Sequence, residues 1–322
     1  MANKKYDFVW VQSLTDYTNE NTGLMARAVY GASTIKGGIE IIVGQKGSVK
    51  LNTLTNEIYL QAAACGWTVS GTTSLGQVSV TVCSLDYKEA LCPKTLEPKW
   101  YGQLMAKGSN PETFPFAEYI MENKIKALSA QLEYMYWQGD STFGSGNLET
   151  CDGIGAFLSG TTNGTTYVAA SYLSGTSHTA ANIVASVNAM AAAIDERVAD
   201  REDLTLYMCI ADYKTYIQAL VTANLYHYNP VDGNPPEFEY YIPGTNIQVK
   251  GTPGLRGTHF WYLTPKSNLV FVTDLLDETE DLDMWYSKDN IEIRINGSLK
   301  FGAGAYFNAF IVHNNPNLGV IT

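Results

Sequence analysis

The stretch PFAEYIMENKIKALSAQLEYMYWQ (Pro115–Gln138), followed by Gly139 and Asp140, sets how the rest of this chain is read. Within and just before it, Phe114, Ala117, Met121, Ile125, Leu128, Leu132 and Met135 recur at steps of three and four. That period lays apolar side chains along one face of an α-helix. Pro111 and Pro115 stand ahead of the run, where a helix needs no amide donor, and Gly139 ends it. A helix from Pro115 to Gln138 is about 36 Å long at 1.5 Å per residue, roughly twice the usual length. The spacing predicts a rigid spine.

Working upstream, Gly37 to Leu85 is glycine-punctuated strand material. Ile39, Ile41 and Val43 alternate, as do Val49 with Leu51 and Val78 with Val80 and Val82, while Gly71-Thr72-Thr73-Ser74 and Gly76 supply turn chemistry. This predicts a hairpin carried on a long projecting loop. Residues 1–30 are polar and mixed, with no strong period, and suit an extended arm. Downstream, Gly139 to Gly146 and Cys151-Asp152-Gly153-Ile154-Gly155 read as loop, continuing through a Thr/Gly/Ser-rich stretch to Ser177. Thr179 is a candidate N-cap for a helix carrying Ile183, Val187, Met190 and Ile194 on one stripe. A buried strand over Leu204 to Ile210 and a helix over Ala211 to Leu225 follow, an order that indicates an α/β layer. A breaker-rich loop spans His227 to Glu239, and strands are expected at 240–250, 259–263, 269–273, 291–295 and 301–312.

The composition narrows function. Charged residues are 16% of the 322, against about 25% in an ordinary soluble protein, and there are 21 tyrosines. Charge depletion fits either a large core or surface buried against other subunits, where charge is scarce and tyrosine enriched, and the tyrosines favour the second. The net charge of −11, with no basic run, excludes a protein that grips nucleic acid through phosphate contacts. An acidic wall can still enclose DNA, because it repels the packed polymer and lets it slide. The cysteines, Cys65, Cys83, Cys92, Cys151 and Cys209, are odd in number and show no C-x-x-C spacing. They indicate neither a disulfide framework nor a zinc site and are expected as buried thiols in a reducing cytoplasm. The apolar stretch near the start stops at Val11, too short for a signal peptide, and no window reaches 18 apolar residues, so no membrane partner is expected.

No catalytic pattern survives inspection. His178, His227, His259 and His313 are scattered and form no H-x-x-x-H or H-E-x-x-H set. Gly139 to Gly146 lacks the spacing and the lysine of a phosphate cradle. Asp140 to Glu149 lacks the order of a calcium loop, and Ser141 and Ser145 lack a G-x-S-x-G elbow. Asp274, Asp277, Glu278, Glu280, Asp281 and Asp283 form the densest carboxylate cluster, read as a solvated acidic loop although hard oxygen ligands could hold a divalent cation. The sequons at Asn163 and Asn296 are expected by chance. The chain is therefore read as a non-enzyme with no catalytic, cofactor-binding or metal-site residues and no cofactor.

The passage Glu133-Tyr134-Met135-Tyr136-Trp137-Gln138-Gly139-Asp140, continuing at Cys151-Asp152-Gly153-Ile154, resembles the end of the spine helix and the Glu…Gly-Asp…Gly-Ile segment of tailed-phage major capsid proteins. Leu91-Cys92 through Leu96-Glu97 to Trp100 is similar to one branch of that family. With the order of elements, the whole chain resembles the Hong Kong 97-type capsid fold, an α+β architecture. The resemblance implies an N-terminal arm (1–36), an extended β-hairpin loop (37–85) and a peripheral domain (86–178) with the spine at 115–138. It implies an α/β axial domain (179–284) and returning strands of the peripheral domain (285–322). It further implies pentamers and hexamers of the chain forming an icosahedral head that encloses phage DNA without sequence-specific binding. A separate scaffolding protein is expected, since the arm starts almost at Met1, together with a portal and decoration proteins. Assembly would take place in the host bacterial cytoplasm and end in the virion. Lys46 and Lys50 lie in the projecting loop, but nothing identifies cross-linking partners for them. An encapsulin-type nanocompartment shell shares the same fold and is the runner-up; a carbohydrate-binding adhesin would leave the long helix unexplained.

Overall fold

In a computed structural model of the chain, the residues described are 24–63, 65–66, 70–92, 116–159, 178–225, 239–274, 283–287, 289–290 and 292–314. In chain order they form α1 (Leu24–Tyr30), α2 (Ser33–Lys36), β1 (Glu40–Ile42), β2 (Val49–Glu57), β3 (Thr72–Val80) and β4 (Cys83–Leu91). The long helix α3 (Phe116–Gln138), α4 (Ile154–Ser159), α5 (Ile183–Ala192), β5 (Leu204–Cys209) and α6 (Ile210–Thr222) follow. The remaining strands are β6 (Glu239–Tyr241), β7 (Gln248–Thr252), β8 (Tyr262–Pro265), β9 (Leu269–Val272), β10 (Asp283–Ser287), β11 (Glu292–Ala305) and β12 (Val312–His313). Helix and sheet are mixed, as the α+β reading expects. Among the described residues no helix is long and apolar enough to cross a membrane.

Helix α3 has 23 residues, about 34 Å of length. Met121, Ile125, Leu132 and Met135 of the predicted stripe are buried, and Leu128 packs partly against the same core. Beyond Leu132 the pattern changes, because Glu133, Tyr136, Trp137 and Gln138 are buried as well. The last turns are thus enclosed on several sides. The helix ends where the Gly139 amide donates to the Met135 carbonyl (2.8 Å) and the Gly153 amide donates to the Gly139 carbonyl (2.8 Å). A methyl group at Gly153 would stand 2.4 Å from the Met135 carbonyl oxygen, so only glycine allows that approach. The Asp140 carboxylate accepts the amides of Thr142 (2.8 Å) and Phe143 (2.9 Å), and Asp152 accepts that of Ser141 (2.8 Å). Both carboxylates therefore act as turn formers.

Two sheets meet at the end of this helix. In the first, β11 pairs antiparallel with β4, β10 and β9, and β9 pairs parallel with β1. In the second the order is β12-β8-β5-β7-β6, with β5 and β7 parallel and joined through α6. Every residue of β5 is buried. Its period-2 alternation sends Leu204, Leu206 and Met208 into the core beneath α5 and α6, and Tyr207 and Cys209 into the core around α3. Trp137 packs against this second face with its ring tilted, the centroids 4.9 Å from Tyr207 and 5.4 Å from Tyr262. The spine therefore abuts the sheet through its own final turn.

Several local expectations are corrected. Residues 24–30 are helical and not extended, and a second helix follows at 33–36, with Ala28, Val29, Ala32 and Ile35 buried in the core that α3 shares. The Ile39–Val43 alternation is not part of the hairpin, since β1 pairs with β9 in the first sheet. The run 240–250 contains two antiparallel strands, β6 and β7, folded at Pro243 to Asn246. The strands expected at 291–295 and 301–312 are largely one, β11, whose Gly297, Gly302 and Gly304 do not break it because neighbouring strands pair along its length. Asn182, not Thr179, precedes α5.

The cysteine reading also changes. Cys83 and Cys151 form a disulfide with Cα atoms 5.9 Å apart, because the root of β4 and the loop after α3 fold against one another. Of the remaining thiols, Cys209 is buried while Cys65 and Cys92 are exposed.

Candidate functional site

The hairpin β2–β3 forms a sheet of its own, paired from Val49↔Val80 to Glu57↔Thr72. Its root belongs to the main core, where Leu51, Val78 and Val80 are buried and a methyl group on Gly304 of β11 would meet Val80 Cγ2 at 2.4 Å. Toward the tip the alternation of buried and exposed positions stops. Leu54 and Leu75 are directly opposed across the strands and both face solvent, Leu75 at 80% exposure. Ile58 (83%), Tyr59 and Leu60 (96%) extend this apolar surface past the end of β2. Leaving such side chains in water forgoes roughly 1.5–3 kcal/mol each, the gain that burial would bring. A cluster of this kind at the end of a projecting element marks an interaction surface. Lys46 and Lys50 are exposed, the latter opposite Ser79 on the same hairpin.

A buried polar network connects the N-terminal helices to the spine. The Thr34 amide donates to Glu133 Oε2 (2.8 Å), the Thr34 hydroxyl donates to Glu133 Oε1, and the Trp137 indole N–H donates to Thr34 Oγ1 (2.9 Å). Burial raises the Glu133 carboxyl above its ordinary range, against the opposing pull of Thr34, Trp137 and the charge of Lys250. On the exposed side, Lys124 of α3 pairs with Glu89 of β4, so the spine is tied to the first sheet as well.

The histidines behave differently from one another. His313 is buried in β12, with its ring 6.4 Å from that of Tyr262. His178 stacks on Trp261 at 4.0 Å between centroids, and burial lowers its pKa. His259 Nδ1 lies 2.9 Å from Asp212 Oδ1. Among the described residues, Cys209, Asp212 and His259 are the group whose metal-capable atoms converge. Sequence reasoning missed this group because His259 is 47 residues from Asp212, although Cys209-x-x-Asp212 across a strand-to-helix junction is a visible local signal. His227, Asn163 and most of the acidic cluster (Asp277, Glu278, Glu280, Asp281) lie outside the described residues. Asp274 is half-buried, and Asn296 sits within β11.

No protein-family model matches the chain, and no curated protein matches its sequence. Solved structures do match its path. A chain of the satellite phage P4 procapsid that includes the size determination (Sid) protein superposes with a TM-score of 0.57 at 13% identity, over 94% of this chain and 90% of that one. The capsid of the native GTA particle gives 0.53 at 8% identity, over 89% of each chain. The capsid of the empty GTA particle gives 0.52 at 10%, over 87% of this chain and 88% of that one. Identities this low transfer no individual residue, whereas a common path over nearly the full length defines an architecture. The chain has the fold of phage capsid subunits.

Proposed function

We propose that this chain is a structural protein without catalytic activity, the major capsid subunit of a tailed double-stranded DNA bacteriophage. The observation that carries the reading is the capsid fold over nearly the whole chain. The hairpin whose root is packed and whose tip is apolar and exposed supports it. Such a tip gains its burial when laid across a neighbouring copy, and heterologous contacts of that kind close into rings. The subunits form pentamers and hexamers of an icosahedral head in the host bacterial cytoplasm, with a separate scaffolding protein, a portal and decoration proteins as partners. The division into arm (1–36), extended loop (37–85), peripheral domain (86–178), axial domain (179–284) and returning strands (285–322) belongs to this proposal. The net charge of −11 suits a wall that encloses DNA without holding it.

The test is negative-stain electron microscopy of the full chain under assembly conditions with its scaffolding protein. Closed shells with five- and six-fold rings are expected, and a chain that stays monomeric with no lattice refutes the proposal. The pair Leu60→Asp and Leu75→Asp should leave the monomer's stability within about 0.5 kcal/mol, since both side chains are exposed, yet abolish shells. Shells formed normally by that variant would remove the hairpin tip from the interface.

A further inference from the structure

We propose that Cys209, Asp212 and His259 form a binding site for a divalent transition-metal ion of the zinc class. Their ligand atoms, Sγ, a carboxylate oxygen and an imidazole nitrogen, all lie within 4.8 Å of one another. In a tetrahedral zinc site, with metal–nitrogen and metal–oxygen distances near 2.0 Å and metal–sulfur near 2.3 Å, such atoms stand about 3.3–3.7 Å apart. Shifts of about 1.5 Å at most complete the geometry, the His259–Asp212 pair at 2.9 Å opening slightly while wider pairs close. The backbone already places two of the three, because Cys209 closes β5 and caps α6, with its Sγ accepting the Asp212 amide at 3.3 Å. His259 comes from the loop that follows the turn at Pro253–Leu255.

The surroundings suit an ion. Asp212 is a buried carboxylate whose donors are an imidazole and an indole, His259 Nδ1 at 2.9 Å on Oδ1 and Trp261 Nε1 at 2.8 Å on Oδ2. The indole bond orients the carboxylate in the way that outer partners hold metal ligands, while Oδ1 faces the cluster. His259 is exposed, so the site has an entry path and a fourth position for water. His178, with its ring centroid 6.0 Å from that of His259, borders the same opening. Binding breaks the Cys209 S–H bond and forms a metal–sulfur bond, with the proton leaving to solvent. His259 takes the tautomer protonated on Nε2, which frees the Nδ1 lone pair. Because the thiol must lose its proton to bind, affinity rises with pH.

The test uses the full chain, treated with chelator, dialysed, and titrated with Co²⁺ as a spectroscopic probe. One equivalent should develop tetrahedral visible bands and a near-ultraviolet thiolate-to-cobalt band, reversed by Zn²⁺. The near-ultraviolet band should vanish in Cys209→Ser and persist in Cys65→Ser and Cys92→Ser. His259→Ala, at an exposed position that tolerates change, should weaken Co²⁺ binding by at least about tenfold. A wild-type chain without the thiolate band, a band that survives Cys209→Ser, or unchanged affinity in His259→Ala would overturn the proposal. Should Cys209→Ser fail to fold, as its circular dichroism would reveal, the His259→Ala affinity decides alone.

Discussion

The change Cys83→Ser severs the disulfide to Cys151 and opens a loop of 68 residues that contains the whole of α3. Position 83 is the better choice, since Cys151 is fully buried and its replacement would add a packing loss. In the chain-entropy account, a cross-link closing a loop of this length stabilises the fold by about 4 kcal/mol, by restricting the unfolded chain. Unfolding entropy scales with length and is about 0.7 kcal/mol/K for 322 residues, so Tm should fall by about 6 °C. Differential scanning calorimetry of the full chain measures it directly, with a dithiothreitol arm as control. Reduced wild-type protein should melt with the variant, and the variant should be indifferent to reductant. Melting within about 1 °C for oxidised wild type and Cys83→Ser, with no effect of reductant, would refute the reasoning. So would mass spectrometry showing both sulfurs as thiols in the air-oxidised chain.

Gly254→Ala should destabilise by about 1–3 kcal/mol, because the new methyl would sit 2.3 Å from Trp137 Cδ1 and 2.5 Å from the Glu133 carbonyl oxygen in a packed core. An unchanged denaturant midpoint would mean that the spine yields there. Glu133→Gln tests the buried carboxyl. Burial raises its pKa above the ordinary 4.5, so the folded chain holds that proton more tightly than the unfolded one. The stability this contributes is complete below 4.5 and declines as pH rises through the folded value. Thermal melts across this range should therefore fall with pH more steeply in wild type than in the variant; parallel curves argue against a buried ionisation. Asp203 has the opposite sign. Partial burial works against ionisation, but hydrogen bonds from Arg201 and Ser267 hold the carboxyl down at about 2. Its stabilisation is present above the ordinary 3.8 and is lost as pH falls toward 2, so Asp203→Asn should flatten that limb of the acid denaturation curve.

The long helix was legible because its evidence is local: a three-four spacing, two prolines before it and a glycine after it all concern residues within one turn of each other. The alternation in β2 and β3 was legible for the same reason, as was the Gly-Asp turn, whose glycines are required by backbone contacts close in sequence. The exposed hairpin tip left only an indirect trace, since Leu54, Leu60 and Leu75 look in sequence like any other strand residues. Burial of several sides of the spine's last turns could not be read either, because a helical period reports one face while Tyr207, Tyr262 and Thr34 arrive from elsewhere. The sequence reads as separate strands at 291–295 and 301–312, yet pairing with β4, β9 and β10 carries one strand, β11, through the gap between them.

By itself the amino-acid sequence determined the spine, the hairpin strands, the α/β order around β5 and the failure of the familiar catalytic spacings. Tertiary structure alone decided that β1 joins β9, that Cys83 meets Cys151, and that Cys209 and Asp212 face His259. The division follows from range: propensity and periodicity act over a few residues, whereas these pairings close loops of tens to hundreds of residues. Closure over such distances is set by how the sheets and helices bury their faces together, which no window of the sequence contains.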